Sequence, residues 1–134
     1  SAKKNRGITI GISAARNRQE HVEKYKSPLD FFDMIVFTGM EDMGRTIVNV
    51  RTSDYLIFIQ GGSGTLVEFG QGIGEKKPIG VLLSSGGVSS QFHNLIDAIQ
   101  PRPQNKIIFA NDARQLIERL IGLKHEEPDC DIKI

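Results

Sequence analysis

The chain has 134 residues, 39% of them hydrophobic and 25% charged, which suits one globular domain with a buried core. A net charge of +1 supplies no global field to favour nucleic acid or a membrane surface, and the absence of Trp weakens a base-stacking platform. The lone Cys130 excludes an internal disulfide and a cysteine zinc cluster, and no stretch approaches the length of a membrane span, so a soluble, reducing, cytoplasmic setting is the expectation.

In chain order, Ser1 to Gly7 reads as the last turn of a helix and its C-terminal glycine, which implies earlier βα units. Gly7 to Ile12 is a short β-branched run and predicts a buried strand. Residues 13–32 are polar and charged and predict a long excursion, with a short helix near Glu20–Lys24. Met34 to Thr38 predicts a second strand and Glu41 to Thr52 a helix. Tyr55 to Ile59 predicts a third strand, and Thr65 to about Gly74 a helix weakened by Gly70, Gly72 and Gly74. Pro78 to Leu83 predicts a fourth strand, Ser90 to Gln100 a helix, and Lys106 to Phe109 a fifth strand. Asn111 or Asp112 caps a last helix that turns Leu116, Ile117, Leu120 and Ile121 inward. Lys76 and Lys77 read as a solvated turn, and residues 124–134 as a polar tail.

Strands that alternate with helices, each strand a continuous apolar run, predict an α/β fold: a Rossmann-like three-layer sandwich with a mostly parallel sheet, in a single nucleotide-binding domain over residues 1–123. Ligands bind such sheets at the C-terminal ends of the strands. Thr38-Gly39, Gln60-Gly61-Gly62 and Ser84 to Gly87 all fall at such ends and suggest one cleft.

The run Tyr55 to Ile59, then Gln60, Gly61-Gly62-Ser63-Gly64-Thr65 and Leu66-Val67-Glu68 carries the chemistry. A strand enters a glycine-rich turn, and the turn opens a helix. Glycines bring amide N–H groups close to an anion, and the helix start adds unpaired donors and partial positive charge. The spacing is neither a Walker A loop nor the GxGxxG dinucleotide fingerprint. Glu68 follows Thr65 by three residues, about one turn, so both can face one side; as an alternative it is an acid favoured near a positive helix end. Arg45, on the preceding helix, is either a cation that clamps phosphate or pairs with Glu68, or a solvated arginine. The histidines His21, His93 and His125 are scattered without ligand spacing, so no metal is expected.

The residues Met43-Gly44-Arg45, Arg51 to Asp54 and Gly61-Gly62-Ser63-Gly64-Thr65-Leu66-Val67-Glu68 resemble the LOG family, once labelled possible lysine decarboxylases. That family's signature is an arginine in the helix before the glycine loop, then PGGxGTxxE. The resemblance covers most of residues 1–122 and places Arg45 and Glu68 as catalytic residues, with Gly61, Gly62, Ser63, Gly64 and Thr65 holding phosphate. It implies a Rossmann-like fold, a homodimer, no cofactor, and hydrolysis of the N-glycosidic bond of a nucleoside 5′-monophosphate to free base and ribose 5-phosphate. Relatives of the family include molybdenum-cofactor carriers and nucleotide sensors, which imply binding without cleavage. No pyridoxal phosphate lysine site is evident. The chain departs from the pattern at Thr46, where lysine is common, at Gln60, where the family has proline, and in lacking an earlier glycine-rich segment; residues 13–32 suggest a separate branch of the superfamily. Three functions stay open: a phosphoribohydrolase, a non-catalytic nucleotide or cofactor binder, and a structural domain.

Overall fold

A computed structural model describes residues 5–123; the expected helix end at residues 1–4 and the polar tail from Lys124, with His125 and Cys130, lie outside the described residues. The chain divides into two compact units, Ser1–Thr52 and Ser53–Ile134. Both are mixed α/β, and every strand pairing among the described residues is parallel. The Rossmann-like α/β class expected from alternating strands and helices is therefore observed, as parallel sheets flanked by helices.

In the first unit, β1 (Ile10–Ser13) pairs with β2 (Met34–Phe37), with Ile10 opposite Met34 and Ser13 opposite Phe37. The excursion between them carries α1 (Arg18–Glu23), whose start is capped by the Asn17 side chain accepting from the Glu20 N–H at 2.9 Å. After β2 comes α2 (Glu41–Thr52), with the expected bounds, and Thr46 and Val50 are its buried residues. Thr38 and Gly39 dock onto the loop after β1: Thr38 Oγ1 donates to the Ser13 carbonyl at 2.7 Å, and the Gly39 N–H to that of Ala15 at 2.9 Å.

In the second unit, β3 (Leu56–Ile59), β4 (Ile79–Leu82) and β5 (Ile107–Ala110) pair in that order. Between β3 and β4 runs α3 (Ser63–Gly74). After β4, two short 3-10 turns, Leu83–Ser85 and Val88–Gln91, lead into α4 (Phe92–Ala98). The helix expected from Ser90 thus starts two residues later, because its first residues are wound into the tighter turn. The chain ends its described course in α5 (Ala113–Gly122), capped by Asp112 accepting from the Gln115 N–H at 2.8 Å.

Three phenylalanines hold the second unit together. Phe69 of α3 and Phe92 of α4 stack with ring centroids 3.9 Å apart, and Phe58 of β3 meets both edge-on at 5.5 and 5.7 Å. Phe69 and Phe92 are fully buried. The strand before the glycine turn and the helix after it are thereby clamped to each other. Gly72 packs for a reason that composition hides: a Cβ there would come within 2.5 Å of Leu56 Cδ1. On α5, Leu116 and Leu120 are buried as expected, but Ile117 and Ile121 face outward, 38% and 53% exposed. Lys77 is no solvated turn residue either; it is half-buried, and its ammonium donates to the Ser53 carbonyl at 2.7 Å.

Candidate functional site

The turn between β3 and α3 is built from backbone conformations that few residues tolerate. Gln60 has φ +56° and Gly61 φ +89°. A Cβ on Gly61 would run into Thr65 Oγ1, so the chain closes tightly on the first turn of α3. Gly62 is the N-cap of α3; its carbonyl accepts from the Leu66 N–H at 3.1 Å, but without a side chain it offers no cap to the leading N–H groups. The leading N–H groups of a helix have no intrahelical partner. Nothing stands within 4 Å of where a Cβ on Gly62 or Gly64 would lie, and Ser63 and Gly64 are exposed, so this face is open. Thr65 and Glu68 are half-buried.

A second glycine loop fastens the first, and sequence reasoning missed how. The Gln60 N–H donates to Ser85 Oγ at 2.7 Å. The Gln60 carbonyl accepts from the Ser89 N–H at 3.2 Å and from the Ser89 hydroxyl, and the Gly61 carbonyl from the Val88 N–H at 3.1 Å. Gly86 and Gly87 have φ +78° and +60° with ψ near −159°, a region open essentially to glycine alone. Two of the three glycine loops expected at the strand ends are therefore joined by hydrogen bonds.

These bonds also explain one departure from the LOG pattern. Proline holds φ near −65° and has no N–H. The position occupied by Gln60 needs φ +56° and an N–H for Ser85. Thr46 is explained as well: it is 3% exposed, with its hydroxyl donating to the Met43 carbonyl at 2.7 Å, so a lysine there would bury an ammonium.

The structure groups Gly61, Gly62, Ser63, Gly64, Thr65 and Glu68 on one turn and helix start. Arg45 belongs to the first unit. Its Nη1 donates to the Ile12 carbonyl at 3.3 Å, and its Nε stands 3.7 Å from the Asp42 carboxylate. That Nε is closed off from solvent and makes no hydrogen bond. Beside Arg45 in the same unit lies a second feature the sequence reading passed over, the buried pair Ser13 and His21. His21 Nδ1 is 2.8 Å from Ser13 Oγ and its Nε2 3.1 Å from the Pro28 carbonyl. A carbonyl only accepts, so Nε2 carries a proton, and in the neutral ring the Ser13 hydroxyl donates to Nδ1. The signal available in the sequence was a histidine one turn into a helix beside a strand end, too common to single out. His93 is exposed, its Nδ1 4.0 Å from Asp97.

Among the described residues, no helix is long and apolar enough to cross a membrane. The fold is similar to that of the X-ray structure of TM1055, a structural genomics target, with a TM-score of 0.70 and 24% identity over 87% of this chain and 67% of that one. It is also similar to the molybdenum cofactor binding protein from the phototrophic bacterium Rippkaea orientalis, with a TM-score of 0.66 and 27% identity over 92% of this chain and 66% of that one. The chain thus spans about two thirds of the length of either solved structure. None of the curated proteins matches it by sequence. A family model, that of the SLOG cluster4 family, matches residues 1–117, and the chain belongs to this family, within a superfamily that includes LOG-like proteins.

Proposed function

We propose that the turn Gly61–Thr65 binds the 5′-phosphate of a nucleoside monophosphate, and that Glu68 promotes hydrolysis of its N-glycosidic bond to free base and ribose 5-phosphate. The observation that carries this reading is the open, uncapped start of α3, with a half-buried carboxylate one turn further on. Unpaired N–H groups at a helix start suit a phosphate. An acid beside a bare phosphate would repel it, so an acid one turn on suits a sugar held above it. Breaking an N-ribosidic bond builds oxocarbenium-like charge on the ribose, which a carboxylate stabilises while orienting water. The phosphate anchor fixes the ribose against that carboxylate. Arg45, the counterpart of the LOG arginine, is the second functional residue of this reading. A cytoplasmic homodimer completes it, and sedimentation tests the assembly.

A second reading is binding without cleavage. It is favoured by the likeness to the molybdenum cofactor binding protein, at 27% identity. One experiment separates the two. The chain and its Glu68→Gln variant are incubated with a panel of nucleoside 5′-monophosphates, and free base and ribose 5-phosphate are read by chromatography. The hydrolase releases base, and the variant loses that release while binding stays within a few-fold. Thermal stabilisation by nucleotides without base release replaces the hydrolase by the binder.

A further inference from the structure

The first unit contains a cavity of about 380 Å³, bounded by β1, the excursion after it and α2. That is the lower end of the range of about 300–1,000 Å³ typical of small-molecule sites. Its walls are polar and apolar in nearly equal measure, the apolar part formed by Ile10, Ile12, Ile35 and Phe32 among others. The Phe32 ring lies across Gly11, where a Cβ would stand 3.1 Å from it, a tight contact that the missing side chain at Gly11 relieves. Among the described residues no lining residue is acidic, and Arg45 brings the cavity its permanent charge.

Arg45 is not held as a purely structural arginine would be. A structural guanidinium is normally met by a protein carboxylate at hydrogen-bond distance. Here the Asp42 carboxylate is 3.7 Å from Nε and largely exposed, and Nε has no hydrogen bond although it is closed off from water. Nε itself is out of a ligand's reach, but the Arg45 side chain lines the cavity and is 38% exposed, so it can meet a ligand there. The Ser13–His21 pair, which also lines the cavity, is by contrast fully engaged: Ser13 Oγ accepts the Ala15 N–H at 3.1 Å and donates to His21, and His21 donates to Pro28. It forms a rigid wall rather than a set of donors for a ligand.

We propose that this cavity binds a small carboxylate carried on an apolar body, with the carboxylate on Arg45 and the body against Phe32 and the isoleucines. One guanidinium fork matches one carboxylate in charge and geometry. A phosphate dianion would require further cations, and among the described residues the cavity wall offers no lysine and no second arginine. The inference shares Arg45 with the proposed function but involves neither the Gly61–Thr65 turn nor Glu68.

The test is a titration of the full chain with benzoate and, separately, with its neutral isostere benzamide, followed through the ring resonances of His21, assigned with a His21→Asn variant. Benzoate is expected to shift these resonances saturably, benzamide to bind at least about tenfold more weakly, and Arg45→Met to lose benzoate affinity by at least about tenfold. Inorganic phosphate is expected to leave them unmoved. Glu68→Gln is expected to bind benzoate like the parent, which keeps this result separate from the fate of the hydrolase reading. Equal binding of benzoate and benzamide, no movement of the His21 resonances, or undiminished binding by a folded Arg45→Met overturns the proposal. The benzoate and benzamide comparison uses the parent protein, so it decides the matter even where Arg45→Met does not fold.

Discussion

Gly87 stands so close to Gly61 that a Cβ on it would come within 2.6 Å of the Gly61 carbonyl oxygen and 2.9 Å of the Gly61 nitrogen. The two glycine loops are thus packed backbone to backbone, with no side chain between them. Gly86, its neighbour, has a similarly unusual conformation, but nothing within 4 Å of its own Cβ position. The pair therefore separates strain from collision. Gly86→Ala is expected to cost the conformational strain alone, about 1–3 kcal/mol. Gly87→Ala is expected to cost more than Gly86→Ala and to weaken nucleotide binding, because it pushes the Gln60–Gly61 peptide away. Urea midpoints of the two variants and nucleotide titrations check both statements. Equal midpoints for the two variants would show that the close approach costs nothing.

Gln60 offers the reverse test, the restoration of the family residue. Gln60→Pro removes the N–H that donates to Ser85 and cannot reach φ +56°. The lost hydrogen bond is worth about 1 kcal/mol and the forced backbone about 1–3 kcal/mol, so a loss on the order of 3 kcal/mol is expected. Gln60→Gly keeps both the N–H and the conformation and is expected to stay within about 1 kcal/mol of the parent. A proline variant as stable as the parent would mean that the turn rearranges freely, and that the bolting by Ser85 is dispensable.

Local pattern was enough to read the order of strands and helices and the placement of Gly61–Thr65 and Glu68 on one turn and helix start, although the first strand, expected buried over Gly7 to Ile12, runs Ile10–Ser13 with Ile8 and Ile10 exposed. Each depends on residues within a few positions of each other: an apolar run, a glycine cluster, an Asp112 cap. What escaped was carried by distant partners. Ser85 and Ser89 meet Gln60 from 25 and 29 residues away, and nothing in a serine-rich loop says which carbonyl it will find. Lys77 reaches Ser53 across 24 residues. The outward turn of Ile117 and Ile121 escaped for a different reason. The helical period marks an apolar stripe, but only Leu116 and Leu120 meet the sheet through Ile108 and Ala110. Gly72 was read as a weakness of its helix, whereas its missing side chain makes room for Leu56.

The phenylalanine cluster predicts how the candidate site fails when its support is removed. Phe92 is fully buried and stacked on Phe69, which lies on the helix bearing Glu68. Phe92→Ala is expected to cost about 3–5 kcal/mol, the transfer and cavity terms of a buried aromatic. Phe92→Leu refills much of the space and is expected to cost less, while still losing the aromatic contacts, worth about 0.5–1.5 kcal/mol per pair. Denaturant unfolding checks the order. A Leu variant as destabilised as the Ala variant would show that ring geometry, rather than filled volume, governs this core.

Glu20 gives the acid limb of stability a specific origin. Its Oε2 accepts the Arg16 N–H at 2.8 Å and the Arg16 Nε at 3.1 Å, and its Oε1 lies 3.3 Å from the Lys24 ammonium. The Arg16 backbone N–H is the largest cause, followed by the Arg16 guanidinium, and together with Lys24 they bring the carboxyl down from 4.5 to about 2. A carboxyl held below its unfolded value stabilises the fold when ionised. That contribution is fully present above the unfolded value of 4.5 and is lost as pH falls through about 2. Glu20→Gln, which keeps the shape and removes the charge, is expected to be less stable than the parent at neutral pH. The gap should narrow as pH falls below 4.5 and close near 2. Added salt should narrow it at neutral pH too, since the ion-pair part is screened. Urea midpoints across that range are the measurement; a gap that is constant down to the acid end would place the effect of the substitution in the packing of α1 rather than in the charge of its carboxylate.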